Sequence, residues 1–361
     1  LGKANKERAN GVNQVVAGLA KYCARQRAQV RVIGKTHTVA RQGERIVRDG
    51  FDVEAYSRLP DLHRALKEAI GWADLVHLHG AYSPWNLWAA HLCERTRRPF
   101  VLTLHDGLAP ERAALRGTMR KRVFHTLMQR RHLRAAAAVH VLAEEEATDL
   151  FRCARPRHVF CIPNGVDLED YPPCEPRPPR PADGLVFGYL GRLSPEKNLD
   201  ALCDAFATFN GDGRHRLLLA GPPGKLDQAL LRRHGGSGVE IVGPRFGADK
   251  LAFLRSVDVF VHPSLCDVFS IAAMEALALG VPLLITRTAK ASHFYADRPF
   301  LMCEPTAFGL ERGMREALVL RTELPRMAAR GRALVERRFD WDVAARQLLA
   351  QYSQLLDRDS H

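Results

Sequence analysis

Residues 257–276, VDVFVHPSLCDVFSIAAMEA, decide the fold class of this chain. The apolar run 257–261 is typical of a buried parallel strand, and a short loop separates it from a helical stretch that begins near Ser270. Asp267 lies in the loop, and Glu275 lies about one and a half turns into the helix. Free N–H groups and a partial positive charge at a helix N-terminus suit phosphate. The stretch therefore predicts a strand–loop–helix unit with two carboxylates bracketing an anion site.

Carboxylates also accept hydrogen bonds from sugar hydroxyls, and a nucleoside diphosphate sugar carries hydroxyls on both sides of its phosphates. A pair of acidic residues alone fits a plainer interpretation as well, in which Asp267 caps the helix and Glu275 is solvated.

A second stretch, GYLGRLSPEKN at residues 188–198, has the same form. The predicted strand ends at Gly191, and Arg192 and Lys197 follow on a turn before the next helix. Arg192 can bind phosphate through its planar guanidinium and Lys197 as a point charge, while glycine lets backbone approach a ligand closely. Taken alone, the stretch fits a surface turn with solvated charges equally well.

The alternation of strand and helix repeats along the chain in two series. The first predicts strands at 30–33, 75–78, 100–104, 139–142 and 158–162, with helices at 13–26, 59–71 and 85–96. The second predicts strands at 185–190, 216–220, 239–242, 257–261 and 281–285, with helices at 198–209, 225–233, 248–256 and 270–279. Residues 341–356 predict a terminal amphipathic helix. Six prolines at 171–183 favour an extended linker between two doubly wound domains that face a cleft.

Composition narrows the partners of the protein. The 361 residues include 53 Lys and Arg against 40 Asp and Glu, a formal net charge of +13. The 46% hydrophobic and 26% charged content excludes a disordered, collagen-like or coiled-coil chain. No transmembrane run or signal peptide is predicted, and eight cysteines without a CxxC pair indicate reduced thiols in a cytoplasmic protein. The basic excess indicates nucleic acid, nucleotide phosphates or a membrane surface as partner.

Landmarks in fixed order resemble the GT-B glycosyltransferases of the large retaining group called family 4. They are PNGVD at 163–167, GRLSPEKN at 191–198, LAG at 219–221, DVFVHPS at 258–264, the Asp267/Glu275 pair and ALGVP at 278–282. The resemblance covers essentially the whole chain. It implies a GT-B α/β fold of two Rossmann-like domains, with the C-terminal helix crossing back to the N-terminal domain.

The implied domains are an acceptor-side domain at 1–170, a Pro-rich linker at 171–184, a nucleotide-sugar domain at 185–338 and a terminal helix at 339–361. No strand precedes the first predicted helix, although a Rossmann-like domain normally opens with one, so the first strand is expected to be missing.

The resemblance implies donor-side roles for four residues. Arg192 and Lys197 hold the donor diphosphate, Glu275 binds the ribose hydroxyls, and Asp267 contacts the transferred sugar. DVFS at 267–270 stands where the family usually has Glu followed by Gly-Phe-Gly. Backbone groups complete the implied donor site, at Gly11, Gly191, Phe269, Ser270 and Ile271.

In the first domain, His105 follows a predicted strand, where ligands of such sheets bind. The family has a His at the matching position near the reacting sugar. Asp106 is expected to orient the acceptor hydroxyl and His79 to line the acceptor side, although structural roles for both histidines fit the sequence as well. The implied catalytic set is His105, Asp267, Arg192 and Lys197.

We expect no cofactor and no metal, because His and Cys do not cluster at zinc spacing and Arg192 and Lys197 can neutralise the diphosphate. The basic segment 111–134 predicts contact with an anionic membrane surface or a lipid-linked acceptor, and a plain solvated face fits it equally well.

The predicted function is retaining sugar transfer from a UDP- or GDP-sugar to an acceptor hydroxyl. We expect it in polysaccharide, lipid-linked oligosaccharide or glycolipid assembly, in the cytoplasm or on the inner face of the membrane. Two alternatives stay open: a non-catalytic sugar-nucleotide-binding relative, and a sugar-nucleotide epimerase. No nucleic acid is expected as partner, because no basic stripe interleaved with aromatic residues occurs.

Overall fold

The computed structural model describes residues 11–35, 43, 45–80, 83–105, 108, 130–172, 184–222, 230, 232–268, 270–288 and 299–359. The chain divides into two compact units. The first unit is Leu1–Gly165 together with Trp341–His361, and the second is Val166–Asp340. The predicted α/β fold class is confirmed, because both units combine helices with mainly parallel strands.

The first unit carries two sheets among its described residues. Its elements are α1 (Gly11–Arg25), β1 (Arg31–Lys35), β2 (Arg45–Arg48), β3 (Phe51–Tyr56), α2 (Leu59–Trp72), β4 (Val76–His79), α3 (Pro84–Thr96), β5 (Phe100–Thr103), α4 (Arg130–Ala135), β6 (Ala138–Val141), α5 (Glu144–Cys153) and β7 (Val159–Cys161). One sheet has the order β1-β3-β2, and the other is fully parallel with the order β4-β5-β6-β7. Every residue of β5 and β6 is buried, as expected for central strands covered on both faces.

The second unit is one parallel sheet wound on both sides. Its elements are β8 (Val186–Leu190), a 3₁₀ helix (Pro195–Lys197), α6 (Leu199–Phe209), β9 (Arg216–Ala220), β10 (Val239–Ile241), α7 (Gly247–Ser256), β11 (Val259–His262), α8 (Ile271–Ala278), β12 (Leu283–Thr286), β13 (Leu301–Cys303), α9 (Ala307–Val319) and α10 (Leu324–Arg338). The strand order is β10-β9-β8-β11-β12-β13. The chain runs outward from β8 to one edge and then returns to β11, so β8 and β11 flank the switch point at which such sheets bind ligands.

The terminal helix α11 (Trp341–Asp359) belongs to the first unit and packs on α1. Trp341 is buried in a space made by two glycines, because a Cβ on Gly18 would lie 2.4 Å from the indole and one on Gly165 would lie 2.5 Å from the Trp341 nitrogen. The Gln26 amide donates to the Asp342 carboxylate at 3.1 Å and extends this contact. Within the described part of the chain, no helix is long and apolar enough to cross a membrane.

Several elements were not predicted by apolar patterning. They are β2, β3, α5, β13, α9 and α10. β2 is mostly exposed and pairs antiparallel with β3, so it lacks the continuous apolar run of a buried parallel strand. Tyr171, the first residue of the predicted linker, is buried. Residues 173–183 lie outside the described residues.

Candidate functional site

The loops after β8 and β11 meet at the carboxyl ends of these neighbouring strands. The backbone N–H of Leu265 and the hydroxyl of Ser264 both donate to the Glu196 carbonyl, at 3.0 and 3.2 Å. The 3₁₀ helix after β8 is therefore fastened to the loop after β11. These two hydrogen bonds hold the stretch 188–198 next to the stretch 257–276. The residues predicted to bind phosphate and sugar therefore lie together.

Lys197 and Asp267 form the centre of this site. Lys197 Nζ lies 2.5 Å from Asp267 Oδ2, and His262 Nε2 lies 3.3 Å from the same oxygen. Both members of the Lys–Asp pair are mostly buried, with side-chain exposures of 13% and 17%. Sequence reasoning predicted the two residues but not their direct ion pair.

The protonation states follow from this geometry. Burial alone would raise the pKa of Asp267, but the charge of Lys197 and the hydrogen bond from His262 hold it well below its usual range. Burial lowers the pKa of His262, against the opposing effect of Asp267. Asp267 is therefore an ionised acceptor at neutral pH, and Lys197 places a fixed positive charge beside it.

Arg192 lies on the same turn but has a different partner. Its guanidinium lies 3.4 Å from Glu196 and is about half exposed, whereas Glu196 is buried. Gly191 is needed here for packing, because a Cβ at this position would lie 2.6 Å from the Tyr189 hydroxyl, which donates to the Arg192 carbonyl at 2.8 Å. The turn thus presents Arg192 to solvent on a rigid backbone.

The N-terminus of α8 adjoins this cluster in sequence. Ser270 is the N-cap, and its hydroxyl accepts from the Ala273 N–H at 3.3 Å. Ile271 is the first residue of the helix, as the predicted anion site requires. Phe269, the third predicted amide, lies outside the described residues.

Glu275 is not the solvated residue of the plainer interpretation. Its carboxylate is 7% exposed and lies 2.8 Å from Lys250 Nζ in α7. The Tyr171 hydroxyl also bonds to Glu275, and Lys250 Nζ lies 5.3 Å from the centre of the Tyr171 ring. Neither partner was predicted: Lys250 lies in the first turn of α7, and Tyr171 falls within the predicted linker. Acidic residues are almost never fully buried unless they are paired. If Glu275 had been expected to be buried, that expectation alone would have predicted a cationic partner.

In the first unit, the structure brings His79 and His105 together. His79 Nδ1 lies 3.1 Å from His105 Nε2, and the rings are stacked with centroids 5.3 Å apart. His105 has a φ of 50°, in the left-handed region that non-glycine residues adopt mainly where surrounding structure enforces it, often at functional sites. Burial, and then the charges of His77 and His105, lower the pKa of His79 well below its usual value.

The other two first-unit predictions have separate outcomes. Gly11 is the first residue of α1 instead of lying in a loop before it, and a Cβ there would meet no atom within 4 Å. Asp106 lies outside the described residues, as do residues 111–129 of the basic segment.

A directed chain of hydrogen bonds lies beneath the histidine pair. His140 Nε2 lies 2.8 Å from the Ile162 carbonyl, which can only accept, so Nε2 carries the proton and Nδ1 accepts from Thr103 Oγ1 at 2.8 Å. Since the Thr103 proton is used there, His77 Nε2 must donate to Thr103 Oγ1 at 2.6 Å. His77 Nδ1 then accepts from the Tyr352 hydroxyl of α11.

His77 and His140, the two histidines in this chain of hydrogen bonds, are neutral. Burial lowers the pKa of His140 to about 4, and burial with the charges of His140 and His105 lowers that of His77 well below its usual value. The His77 ring lies against His79, with centroids 4.0 Å apart. The chain therefore fixes the tautomer and the orientation of the ring that supports His79.

In the described part of the chain, no group of three or more His, Cys, Asp or Glu side chains is arranged to hold a metal ion. At the switch point, the structure describes two positively charged side chains, those of Lys197 and Arg192.

The sequence of this chain matches two glycosyltransferase family models. Residues 9–170 match the family model described as Glycosyltransferase Family 4, and residues 184–309 match the model described as Glycosyl transferases group 1. The chain is 27% identical to the D-inositol 3-phosphate glycosyltransferase of Xylanimonas cellulosilytica, over 97% of this chain and 93% of that protein. It is 26% identical to the phosphatidyl-myo-inositol mannosyltransferase of Mycobacterium leprae, over 95% and 92%.

Solved structures share the fold at lower identity. The Anabaena protein Alr3699/HepE in complex with UDP and glucose superposes with a TM-score of 0.74 at 18% identity, covering 98% of this chain and 97% of that one.

Proposed function

This chain belongs to the family 4, group 1 glycosyltransferases of GT-B fold, and we propose that it transfers a sugar from a nucleoside diphosphate sugar to an acceptor hydroxyl with retention at the anomeric carbon. The observation that carries the proposal is the buried Lys197–Asp267 pair at the switch point of the second unit. It sets a cation for the diphosphate beside a carboxylate for the sugar.

The site chemistry supports stabilisation of the leaving group. As the glycosidic bond breaks, negative charge develops on the departing diphosphate, and Lys197, Arg192 and the first amides of α8 supply fixed positive groups. These groups perform the neutralisation that a divalent cation would otherwise supply, so we propose that transfer is independent of metal.

Retention fits the absence of a candidate enzymic nucleophile among the described residues of this site, because Asp267 is held by Lys197 and His262. We propose attack by the acceptor on the face that the diphosphate leaves, with the acceptor proton passing to the departing phosphate oxygen. Asp267 stays ionised throughout, since its pKa is held low.

The names of similar proteins narrow the substrates to be tested. The solved relative named above binds UDP and glucose, which puts UDP-sugars first among donors and GDP-sugars second. Two sequence relatives act on inositol phosphate or phosphatidylinositol, which supports a polyol or lipid-linked acceptor in glycolipid or polysaccharide assembly. With residues 111–134 as a basic contact, we propose peripheral association with an anionic membrane.

A donor screen tests the proposal. Full-length protein is mixed with UDP- and GDP-sugars, with and without EDTA, and hydrolysis, transfer to inositol phosphate and thermal stabilisation are measured. We expect one donor to stabilise the protein and turn over in EDTA. Lys197→Ala should lower donor turnover at least about a hundredfold, as removal of a charge-stabilising donor does in other enzymes. Glu275→Ala should also lower it strongly, because the ribose hydroxyls lose their acceptor.

Arg216→Met is the matched control, since it removes an exposed ion pair with Glu240 in the same unit. Full activity in Lys197→Ala would overturn the site assignment. Tight donor binding without turnover would favour a non-catalytic relative, and loss of activity in EDTA would contradict metal independence.

A further inference from the structure

The carboxylate of Glu275 is held by two side chains that the sequence did not predict. It projects from α8 into a buried position, where an ionised group must be paired. Lys250 Nζ donates to Glu275 Oε1 at 2.8 Å. The Tyr171 hydroxyl also donates to the carboxylate. The two donors come from different parts of the chain, α7 and the segment before residue 173.

The Tyr171 hydroxyl can act only as a protonated donor toward Glu275. Burial, followed by the charge and the hydrogen bond of Glu275, raises the pKa of the Tyr171 phenol far above its ordinary value. The phenol therefore keeps its proton at any physiological pH. Lys250 Nζ also lies 5.3 Å from the centre of the Tyr171 ring. The two partners of Glu275 are therefore joined to each other by a cation–π contact.

Tyr171 is tied to the helix that carries Glu275. Arg332 in α10 donates through one guanidinium nitrogen to the Tyr171 carbonyl at 2.5 Å and to the carbonyl of Ala278, the last residue of α8. Arg332 is also paired with Glu336 at 2.6 Å. Arg332 therefore links the Tyr171 backbone to the end of α8 through a partly buried bridge.

A carboxylate has about four lone-pair positions, and Lys250 and Tyr171 occupy two of them. About two remain, which is the number that a vicinal diol needs. We propose that Lys250 and Tyr171 are positioning residues that orient Glu275 so that its free lone pairs accept the 2′- and 3′-hydroxyls of the donor ribose. This inference rests on the proposed function, since it assigns Glu275 to a ribonucleotide.

The arrangement gives the protein a means to select ribonucleotides over deoxyribonucleotides. A site built to accept hydrogen bonds from a substrate hydroxyl rejects an analogue without it, because the buried acceptor then loses its partner. If the carboxylate were free to rotate, it could turn to water or to another donor and the selectivity would weaken. Orientation of Glu275, and not merely its charge, is therefore the property to test.

Binding of UDP, GDP and their 2′-deoxy and 3′-deoxy forms to the full-length protein provides the test, with calorimetry as the measurement. The variants are Lys250→Met, Lys250→Arg, Tyr171→Phe, Glu275→Gln and Arg216→Met. We expect Lys250→Met to weaken ribonucleotide binding about tenfold but deoxynucleotide binding less than about twofold. Tyr171→Phe should lose about threefold with the same dependence on the sugar. Lys250→Arg should restore most of the affinity, and Arg216→Met should match wild type.

The outcomes distinguish failure of the positioning role from failure of the proposed function. Equal losses for ribo- and deoxynucleotides in both Lys250→Met and Tyr171→Phe would show a merely structural role and overturn the inference. So would a loss in Glu275→Gln with none in either positioning variant, and in that case the proposed function would stand. If wild type bound neither UDP nor GDP, the proposed function would fail and the inference with it. Since Lys250→Met can destabilise α8, melting temperatures accompany each titration, and Tyr171→Phe keeps the packed ring.

Discussion

Three carboxylates of this protein each lie against more than one side chain that can donate a hydrogen bond. Asp267 lies beside Lys197 and His262, and Glu275 lies beside Lys250 and Tyr171. Glu54 in β3 of the first unit is a third example, since its carboxylate is 3% exposed and accepts from Arg31 and Arg45 at 2.8 and 2.9 Å. Whether a buried charge is tolerated therefore depends on the individual side chains that pair with it.

Glu54 gives a prediction for acid stability. Burial would raise its pKa, but hydrogen bonds from Arg31, Tyr56 and Arg45 outweigh it and lower the pKa to about 2, from 4.5. Because the folded pKa is depressed, the stabilisation is fully present above pH 4.5 and is lost as the pH falls toward 2. Glu54→Gln should therefore melt below wild type at pH 6, and the gap should close near pH 2.

Melting temperatures measured between pH 2 and 6 check this. Glu68→Gln is the matched control, since Glu68 contacts the same Arg31 at 3.2 Å but is 62% exposed. A gap between wild type and Glu54→Gln that stayed constant across this range would show that ionisation of Glu54 does not contribute.

At the scale of elements, α11 is attached to the rest of the first unit by two devices in addition to the contact between Gln26 and Asp342. One is the space for Trp341 beside Gly18 of α1. The other is the chain of hydrogen bonds from Tyr352 through His77, Thr103 and His140, which crosses β4, β5 and β6. The first device depends on shape, and the second depends on protonation.

Gly18→Ala should destabilise the first unit by about 1–3 kcal/mol, because the new methyl group would overlap the Trp341 indole and force a backbone shift. Gly71→Ala is the control: Gly71 also lies in a helix, α2, but its Cβ would meet no atom within 4 Å. Its stability should change by less than about 1 kcal/mol, in the favourable direction. Urea unfolding measures both, and equal effects of the two substitutions would contradict the packing account.

Thr103→Val should break the hydrogen-bond chain and destabilise the protein by about 1–3 kcal/mol, since His140 Nδ1 loses its donor and His77 Nε2 its acceptor. Thr208→Val removes only an exposed hydroxyl that bonds to its own helix, and it should have little effect. Chemical denaturation at pH 7 compares the two. A smaller loss in Thr103→Val than in Thr208→Val would rule out the directed chain.

The same chain predicts loss of stability in weak acid. His140 has a folded pKa of about 4 against 6.5 for an unperturbed histidine, so the unfolded state binds the extra proton first. The contribution of His140 to stability is fully present above pH 6.5 and declines as the pH falls toward 4, mostly before the contribution of Glu54 is lost.

At the scale of the whole molecule, the two units have separate cores and separate chemistry. The second unit carries all of the described side chains proposed to hold the nucleotide, and the first carries the histidine pair. The net charge of +13 favours anionic ligands in general, and we propose that the diphosphate binds at the switch point of the six-stranded sheet in the second unit.

Hydrogen exchange with saturating UDP or GDP should therefore show protection concentrated at 191–198, at 262–276 and around Lys250. A ligand at a hundred times its Kd adds about 2.7 kcal/mol of stability to the state that binds it. Mass spectrometry of peptides from both units measures the effect. Protection confined to peptides of the first unit would contradict the assignment of the nucleotide to the second.

Local pattern alone determined a large part of this protein. The run 216–220 predicted β9 at its observed bounds, and the helices at 59–71 and 85–96 match α2 and α3 to within one residue. These predictions succeed because apolar periodicity and turn residues act over a few positions. The order of landmarks also identified the family, and the loops with Lys197 and Asp267 lie on adjacent strand ends as in other doubly wound sheets.

Only the tertiary structure decided which side chains are partners. Lys250 and Tyr171 meet Glu275 across 25 and 104 positions of sequence, and Tyr352 meets His77 across 275. Such pairings depend on strand order and on how each helix lies on its sheet, which apolar periodicity does not specify. A buried charge or imidazole requires a partner by its chemistry, but the fold alone determines which residue, however distant in sequence, provides it.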